Sequence, residues 1–287
     1  MSEMTRREWT KRAFGSLAVA AAAARSAGDV FAANQVVVGA QSYSFRDRGF
    51  EQMVEGFKAC GLSDVELWQG HFEPKTSSRD ELRAWRLKTP DSYFKDLRSK
   101  LDSAGIRVYA VNISFRDDWT DDEVQKGFDQ ASALGVKTIT ASSNQQTVGR
   151  IGPVAEKRGV LVGVHNHSNI NPNEFATPDD FDKAMKASPA IRVNLDIGHF
   201  TAANFDAVQY IKAHHEQIVT LHLKDRKKDQ GENLPFGQGD TPIKPVLTLL
   251  RDQGWAIPAG IEYEYKGGDT VEEVKKCVAF CRAALQA

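Results

Sequence analysis

Cysteine is scarce in this 287-residue chain, which has only Cys60, Cys277 and Cys281, with no paired spacing. That excludes a zinc knuckle and a disulfide framework. Buried thiols are expected instead, with a single bridge from Cys60 to one of the C-terminal cysteines as the alternative. Excess charge of either sign is also missing. The 37 Lys and Arg nearly balance the 38 Asp and Glu, for a formal charge of -1, and no basic run lies outside the N-terminus. Binding a phosphate backbone demands a cationic footprint, so nucleic acid is not an expected partner. No glycine-rich phosphate loop follows the first apparent strand, which argues against a doubly wound dinucleotide-binding sheet. There is no linker, low-complexity tract or long apolar run. The stretch from Ala13 to Ala24 is too short and too weakly apolar for a good permanent membrane span. A single domain with a large core is the default for this length and a 41% hydrophobic composition.

What is present begins with a leader. Arg6 and Arg7 in "TRREW" are followed by Lys11 and Arg12, an alanine-rich apolar stretch, and the small residues Ala32 and Ala33. The pattern reads as an export signal of the twin-arginine type over residues 1–33, ahead of one domain over 34–287. The expected partner of the leader is the export machinery, and the expected location is the periplasm.

From Val36 onward, short β-like runs alternate with amphipathic segments. The runs are "VVVGAQSY", "DVELWQ", "IRVYAVN", "VKTITAS", "VLVGVHNH", "RVNLDIG", "IVTLHLK" and "AGIEYEY". Three intervening segments open with Thr followed by Pro or Asp, as helix starts do, and two of these end at Gly. Eight β-then-α units over this length predict an α/β fold, a single-domain (β/α)8 TIM barrel.

Strand side chains alternate between the helix layer and the barrel interior, and those at C-terminal strand ends reach the active-site face. In strand 5, Val160, Val162 and Val164 form the helix-facing row, so His165 and His167 point inward. The same phasing turns Asn194 and Asp196 of strand 6, His222 and Lys224 of strand 7, and Glu262 and Glu264 of strand 8 inward. His165, Asp196, His222 and Glu262 thus converge at one corner of the mouth. Two imidazoles and two carboxylates suit one divalent metal ion, Mn2+ first, with Zn2+, Co2+, Fe2+ or Mg2+ as alternatives. A lone inward histidine is more often a satisfied core residue. Burying four such groups together without a ligand would carry a heavy desolvation cost.

With these residues in place the chain resembles the xylose isomerase-like barrels, in particular the sugar phosphate isomerase/epimerase group with its ketose 3-epimerases, inosose dehydratases and apurinic-site endonucleases. "GAQSYSFRD", "VELWQGHFEP", "GVLVGVHNH", "NLDIGHF", "LHLKDR" and "GIEYEY" carry the resemblance over nearly the whole domain. It implies a metal held by a strand-5 Glu, a strand-6 Asp, a strand-7 His and a strand-8 Glu. Asp196, His222 and Glu262 match. Strand 5 departs, because His165-Asn166-His167 stands where relatives often have Glu-Asn-His. In ketose epimerases the two metal-bound glutamates also act as acid and base, and here one of them is missing.

The expected function is a divalent-metal-dependent sugar isomerase or epimerase, acting on a keto or free sugar through proton abstraction and a metal-stabilised enediolate. The alternative is a lyase or dehydratase on keto-sugars, keto-glycosides or keto-inositols, and a non-catalytic sugar-binding barrel ranks third. His167 is the first choice of base and Glu262 the second; Lys224 either stabilises an oxyanion or sits in a salt bridge. Tyr43, Glu66, Trp68, His71 and His199 are the expected substrate-binding residues. Arg226 to Asp240 reads as a lid or a phosphate clamp. The sequence leaves a homo-oligomer undecided.

Overall fold

Valine-, isoleucine- and leucine-rich runs with an apolar row toward the helices suit parallel strands covered by helices. In the computed structural model, which describes residues 36–287, they form β1 (Val38–Gln41), β2 (Asp64–Trp68), β3 (Arg107–Asn112), β4 (Thr138–Ala141), β5 (Leu161–His165), β6 (Ile191–Asp196), β7 (Ile218–Leu223) and β8 (Ala259–Ile261). All pairings among them are parallel, and they close into a barrel in chain order, as the (β/α)8 reading expects. The leader assigned to residues 1–33, and the start of the domain at 34, lie outside the described residues.

The covering layer is α1 (Phe50–Cys60), α2 (Arg79–Lys88), α3 (Asp91–Ser103), α4 (Asp121–Ala133), α5 (Gln145–Arg158), α6 (Pro178–Ala187), α7 (Ile197–Ala202), α8 (Ala207–His214), α9 (Ile243–Gln253) and α10 (Thr270–Gln286). Their starts are specified locally. Thr120 caps α4 in a reciprocal box with Glu123, and Thr177 caps α6 in one with Asp180, with Pro178 in the first turn; such caps contribute about 1 kcal/mol each. Between helices and barrel lies the apolar core, where Val162, Val164, Val193, Leu195, Leu221 and Leu223 are fully buried.

Two strands end sooner than their apolar patterns predict. β1 gives way at Ser42 to a 3-10 turn, Ser42–Phe45. β8, now without that neighbour, stops pairing at Ile261. The Ser44 hydroxyl takes over, accepting from the Tyr263 N–H (2.9 Å) and donating to the Ile261 carbonyl (3.1 Å). The β2–β3 register shifts at Val65/Glu66, with Tyr109 of β3 as the extra residue, and the β6–β7 register at Val193/Asn194, with Val219 of β7 as the extra residue. All three cysteines are buried and unpaired, so the Cys60 bridge is not formed. Among the described residues no helix is long and apolar enough to cross a membrane.

Candidate active site

The C-terminal ends of the strands surround a cavity of about 740 Å³, of the size that takes a small molecule. His165, at the tip of β5, lines it and is buried, while Asp196 and His222, paired across β6 and β7, lie beneath. Glu262 enters from just past β8, its N–H donating to the Leu223 carbonyl (3.0 Å). One ligand atom from each of these four comes within 4.8 Å of the others. All four are buried: His165 Nδ1 has no hydrogen-bond partner, His222 Nδ1 stands 3.2 Å from Glu262 Oε2, and Asp196 Oδ2 and Glu262 Oε2 share the Lys224 ammonium. A partnerless imidazole nitrogen beside a second imidazole and two converging carboxylates is a polar set that a cation would complete, and these N/O donors fit a first-row divalent ion.

Neighbouring groups fix the aim of Asp196. Asp196 Oδ1 caps α7 by accepting the His199 N–H (2.6 Å), which leaves Oδ2 facing the cluster. Asn166 holds the Asp196 backbone from both sides, accepting its N–H (2.9 Å) and donating to its carbonyl (3.1 Å). Gly198 permits the tight start of α7, since a Cβ there would come within 2.6 Å of the Lys224 carbonyl oxygen.

Lys224 is buried among anions, its Nζ 3.1 Å from Asp196 Oδ2, 2.9 Å from Glu262 Oε2 and 2.6 Å from Glu264 Oε2. The salt bridge is formed, with an ammonium that also lines the cavity. Burial disfavours the lysine charge, but the carboxylates of Asp196, Glu262 and Glu264 outweigh it and hold the pKa above the ordinary lysine range. Burial lifts the Asp196 carboxyl to about 6 against the pull of Lys224. In Glu262 the same burial is overcome by Lys224 and His222, which hold the carboxyl well below its usual value. His165 and His199 are both pushed well below 6.5, by burial and then by the nearby cation or imidazole.

His167 lies two residues beyond β5, its ring exposed in the cavity and free of hydrogen bonds to the described residues. The surrounding walls and then Lys224 lower its pKa. The ring of His199 stands 5.4 Å from that of His167, centre to centre, with its two nitrogens facing Lys224 Nζ (3.0 Å) and Arg226 Nη1 (2.7 Å). Trp68 and Tyr43 line the opposite wall edge to face, with ring centroids 4.9 Å apart.

Two expected substrate-binding residues do not reach the cavity. Glu66 is 0% exposed beneath its floor, taking hydrogen bonds from Thr140 Oγ1 (2.6 Å) and Gln41 Nε2 (3.3 Å) and meeting His222 Nε2 at 3.0 Å. The alternation rule gave its face correctly but not its depth. His71 belongs to a 3-10 turn after β2 that folds back into protein, where Nδ1 meets Ser42 Oγ (2.9 Å) and Nε2 meets the Phe45 carbonyl (3.3 Å). The segment after β7 does not cover the cavity in this structure, as none of residues 226–240 lines it. Asp225 pins it by accepting the N–H groups of Gly237 (2.7 Å), Gly239 (3.0 Å) and Thr241 (3.2 Å). Arg226 is taken up by the Gly231 carbonyl, Ser168 and His199 rather than held out as a phosphate clamp. Sequence reasoning missed the polar wall made by Ser114, Ser142, Asn144, Asn169, Asn171 and Glu174. The strand-end rule reaches Ser114 and Ser142, but nothing in their chemistry singles them out.

The family model for xylose isomerase-like TIM barrels matches residues 54–284. The chain belongs to that family. Among curated proteins it is 24% identical over 155 residues to the inosose dehydratase of Clostridium perfringens, covering 43% of this chain and 51% of that protein. To the L-ribulose-5-phosphate 3-epimerase UlaE of Escherichia coli it is 28% identical over 99 residues, 34% of this chain and 35% of that one. The matches thus span about half or less of the length of these relatives. Among solved structures, the probable 3-DHS dehydratase AsbF of Bacillus anthracis superposes with a TM-score of 0.66 at 14% identity, covering 86% of this chain and 99% of that one, a likeness of fold.

Proposed function

We propose that this member of the xylose isomerase-like family is a divalent-metal-dependent isomerase or epimerase of a keto or free sugar. The reaction would proceed by removal of the proton beside a carbonyl. The reading is carried by four buried N/O donor side chains whose ligand atoms converge within 4.8 Å of one another beneath an open polar cavity. His165, Asp196, His222 and Glu262 would hold one ion, Mn2+ first, with Zn2+, Co2+, Fe2+ or Mg2+ as alternatives. When bound, it would supply Lewis-acid polarisation of the substrate carbonyl. The chain's own side chains do the rest. His167, exposed to the cavity with a lowered pKa, is neutral near pH 7 and able to accept the proton. Glu262, held by Lys224 and His222, is the second choice of base. Lys224 presents charge to substrate oxygens, His199 lines the cavity beside it with its ring nitrogens turned to Lys224 and Arg226, and Trp68 and Tyr43 offer ring faces to sugar C–H groups.

A second reading, a dehydratase or lyase on a keto-sugar, keto-glycoside or keto-inositol, is favoured by one observation. The strand-5 ligand position holds the imidazole of His165, so the carboxylate that would serve as a second base on that wall is absent. Both readings begin with the same proton transfer, and the relatives' names include an epimerase and a dehydratase. The leader supports export by the twin-arginine route to the periplasm, where free or oxidised sugars are better candidates than phosphorylated ones.

The test is metal analysis of the purified protein, followed by a panel of keto-sugars in D2O read by NMR. Deuterium at the carbon beside the carbonyl with unchanged composition supports epimerisation, whereas an unsaturated product or a released aglycone supports elimination. Sugar binding with neither exchange nor metal would overturn both readings in favour of a non-catalytic binding barrel.

A further inference from the structure

Glu66 lies outside the cavity and outside the cluster of four, yet it is fully buried and carries three polar contacts from three different strands. Gln41 reaches it from β1, Thr140 from β4 and His222 from β7. The first two engage Oε1, at 3.3 and 2.6 Å, which leaves Oε2 directed at His222 Nε2, 3.0 Å away. The β2–β3 register shifts at Val65/Glu66, where β3 carries Tyr109 as the extra residue. Asn194 Nδ2 also faces His222 Nε2, at 3.2 Å, but Asn194 Oδ1 has no partner, so that amide is the less committed of the two neighbours. On the opposite edge of the same ring, Nδ1 is buried and faces the cluster, 3.2 Å from Glu262 Oε2.

We propose that Glu66 is a positioning residue which fixes the proton of His222 on Nε2 and so commits Nδ1 to the metal. The inference rests on the metal reading above. A carboxylate accepts only, so Nε2 must donate to it, and the ring lone pair then lies on Nδ1. The same hydrogen bond sets the ring plane and makes the imidazole a stronger donor, as carboxylate–histidine pairs do behind other metal centres. Glutamine at this position can turn its NH2 toward Nε2. That would move the ring proton to Nδ1, where it would block the ligand lone pair.

The experiment uses Zn2+ alone as the probe, with the full folded chain. Competition against a chelator gives the Zn2+ dissociation constant for the wild type and for Glu66→Gln, with circular dichroism checking that both are folded. The dissociation constant should rise about 10- to 100-fold in the variant. Histidine 15N NMR of the Zn2+-loaded wild type, which needs no substitution, should show a proton on His222 Nε2 and none on Nδ1. Equal affinity in the two proteins, or a wild-type proton on Nδ1, overturns the role given to Glu66. A wild type that binds no Zn2+ overturns the metal reading itself.

Discussion

His71 provides a test of the fold that is independent of any metal. Its two ring nitrogens sit in a closed chain: the Trp68 N–H donates to Ser42 Oγ (2.8 Å), that hydroxyl to His71 Nδ1, and His71 Nε2–H to the Phe45 carbonyl. A second ring proton would have to point at a hydroxyl already donating to it, in a site where the residue is only 8% exposed. Burial accordingly lowers the pKa from 6.5 to about 4. Between those two values the unfolded chain binds more protons at this position than the folded one. Stability therefore falls as the pH drops from 6.5 toward 4 and loses nothing further from His71 below that. The displacement corresponds to on the order of 3 kcal/mol across the window. Urea unfolding at pH 7.5, 5.5 and 4 should show His71→Gln losing less stability than the wild type by about that amount over the full range. Glutamine can still donate to the Phe45 carbonyl and does not titrate. An NMR titration of His71 with an ordinary midpoint near 6.5, or parallel acid losses in both proteins, would refute the reasoning.

The remaining predictions concern the cavity and the leader. Asp196→Asn and His222→Ala should purify folded but without stoichiometric metal. By contrast, Val162→Ala, from a position that is 0% exposed in the outer core, should keep the metal and lose about 2 kcal/mol of stability. His165→Ala should weaken metal binding, while His167→Ala should retain metal and lose about 100- to 10,000-fold in turnover, measured as deuterium exchange into substrate. Exchanged phenotypes would swap the two roles, and wild-type exchange in both variants would leave the histidines a structural strand end. Replacing Arg6 and Arg7 by Lys should trap precursor in the cytoplasm, which cell fractionation would detect; normal export would rule out the twin-arginine route.

Much of this architecture is legible in the chain because a strand has only two faces. Once Val160, Val162 and Val164 are placed outward, His165 has to point in, and the same logic delivers Asp196, His222 and Glu262. What the alternation cannot supply is height along the barrel axis or the path of the chain after a strand ends. Glu66 is on the right face but a layer too deep, and His71 is on a turn that doubles back to Phe45. The loss of strand character after Gln41 and Ile261 was equally invisible, since it depends on Ser44 replacing one neighbour's backbone with a hydroxyl.

The middle residue of His165-Asn166-His167 has a mechanical consequence. Because Asn166 grips both backbone polar groups of Asp196, the tip of β5 and the tip of β6 form one stiff plate carrying His165, His167 and Asp196 together. The hydrogen-bonded connection continues from the Asp196 backbone through its side-chain cap to the His199 N–H in the first turn of α7. Loop grafting to change which ligand the cavity accepts therefore has a natural upstream limit. Exchange can begin after Ser168, but a cut before Asn166 would uncouple two strands and disarm the cluster before specificity was altered.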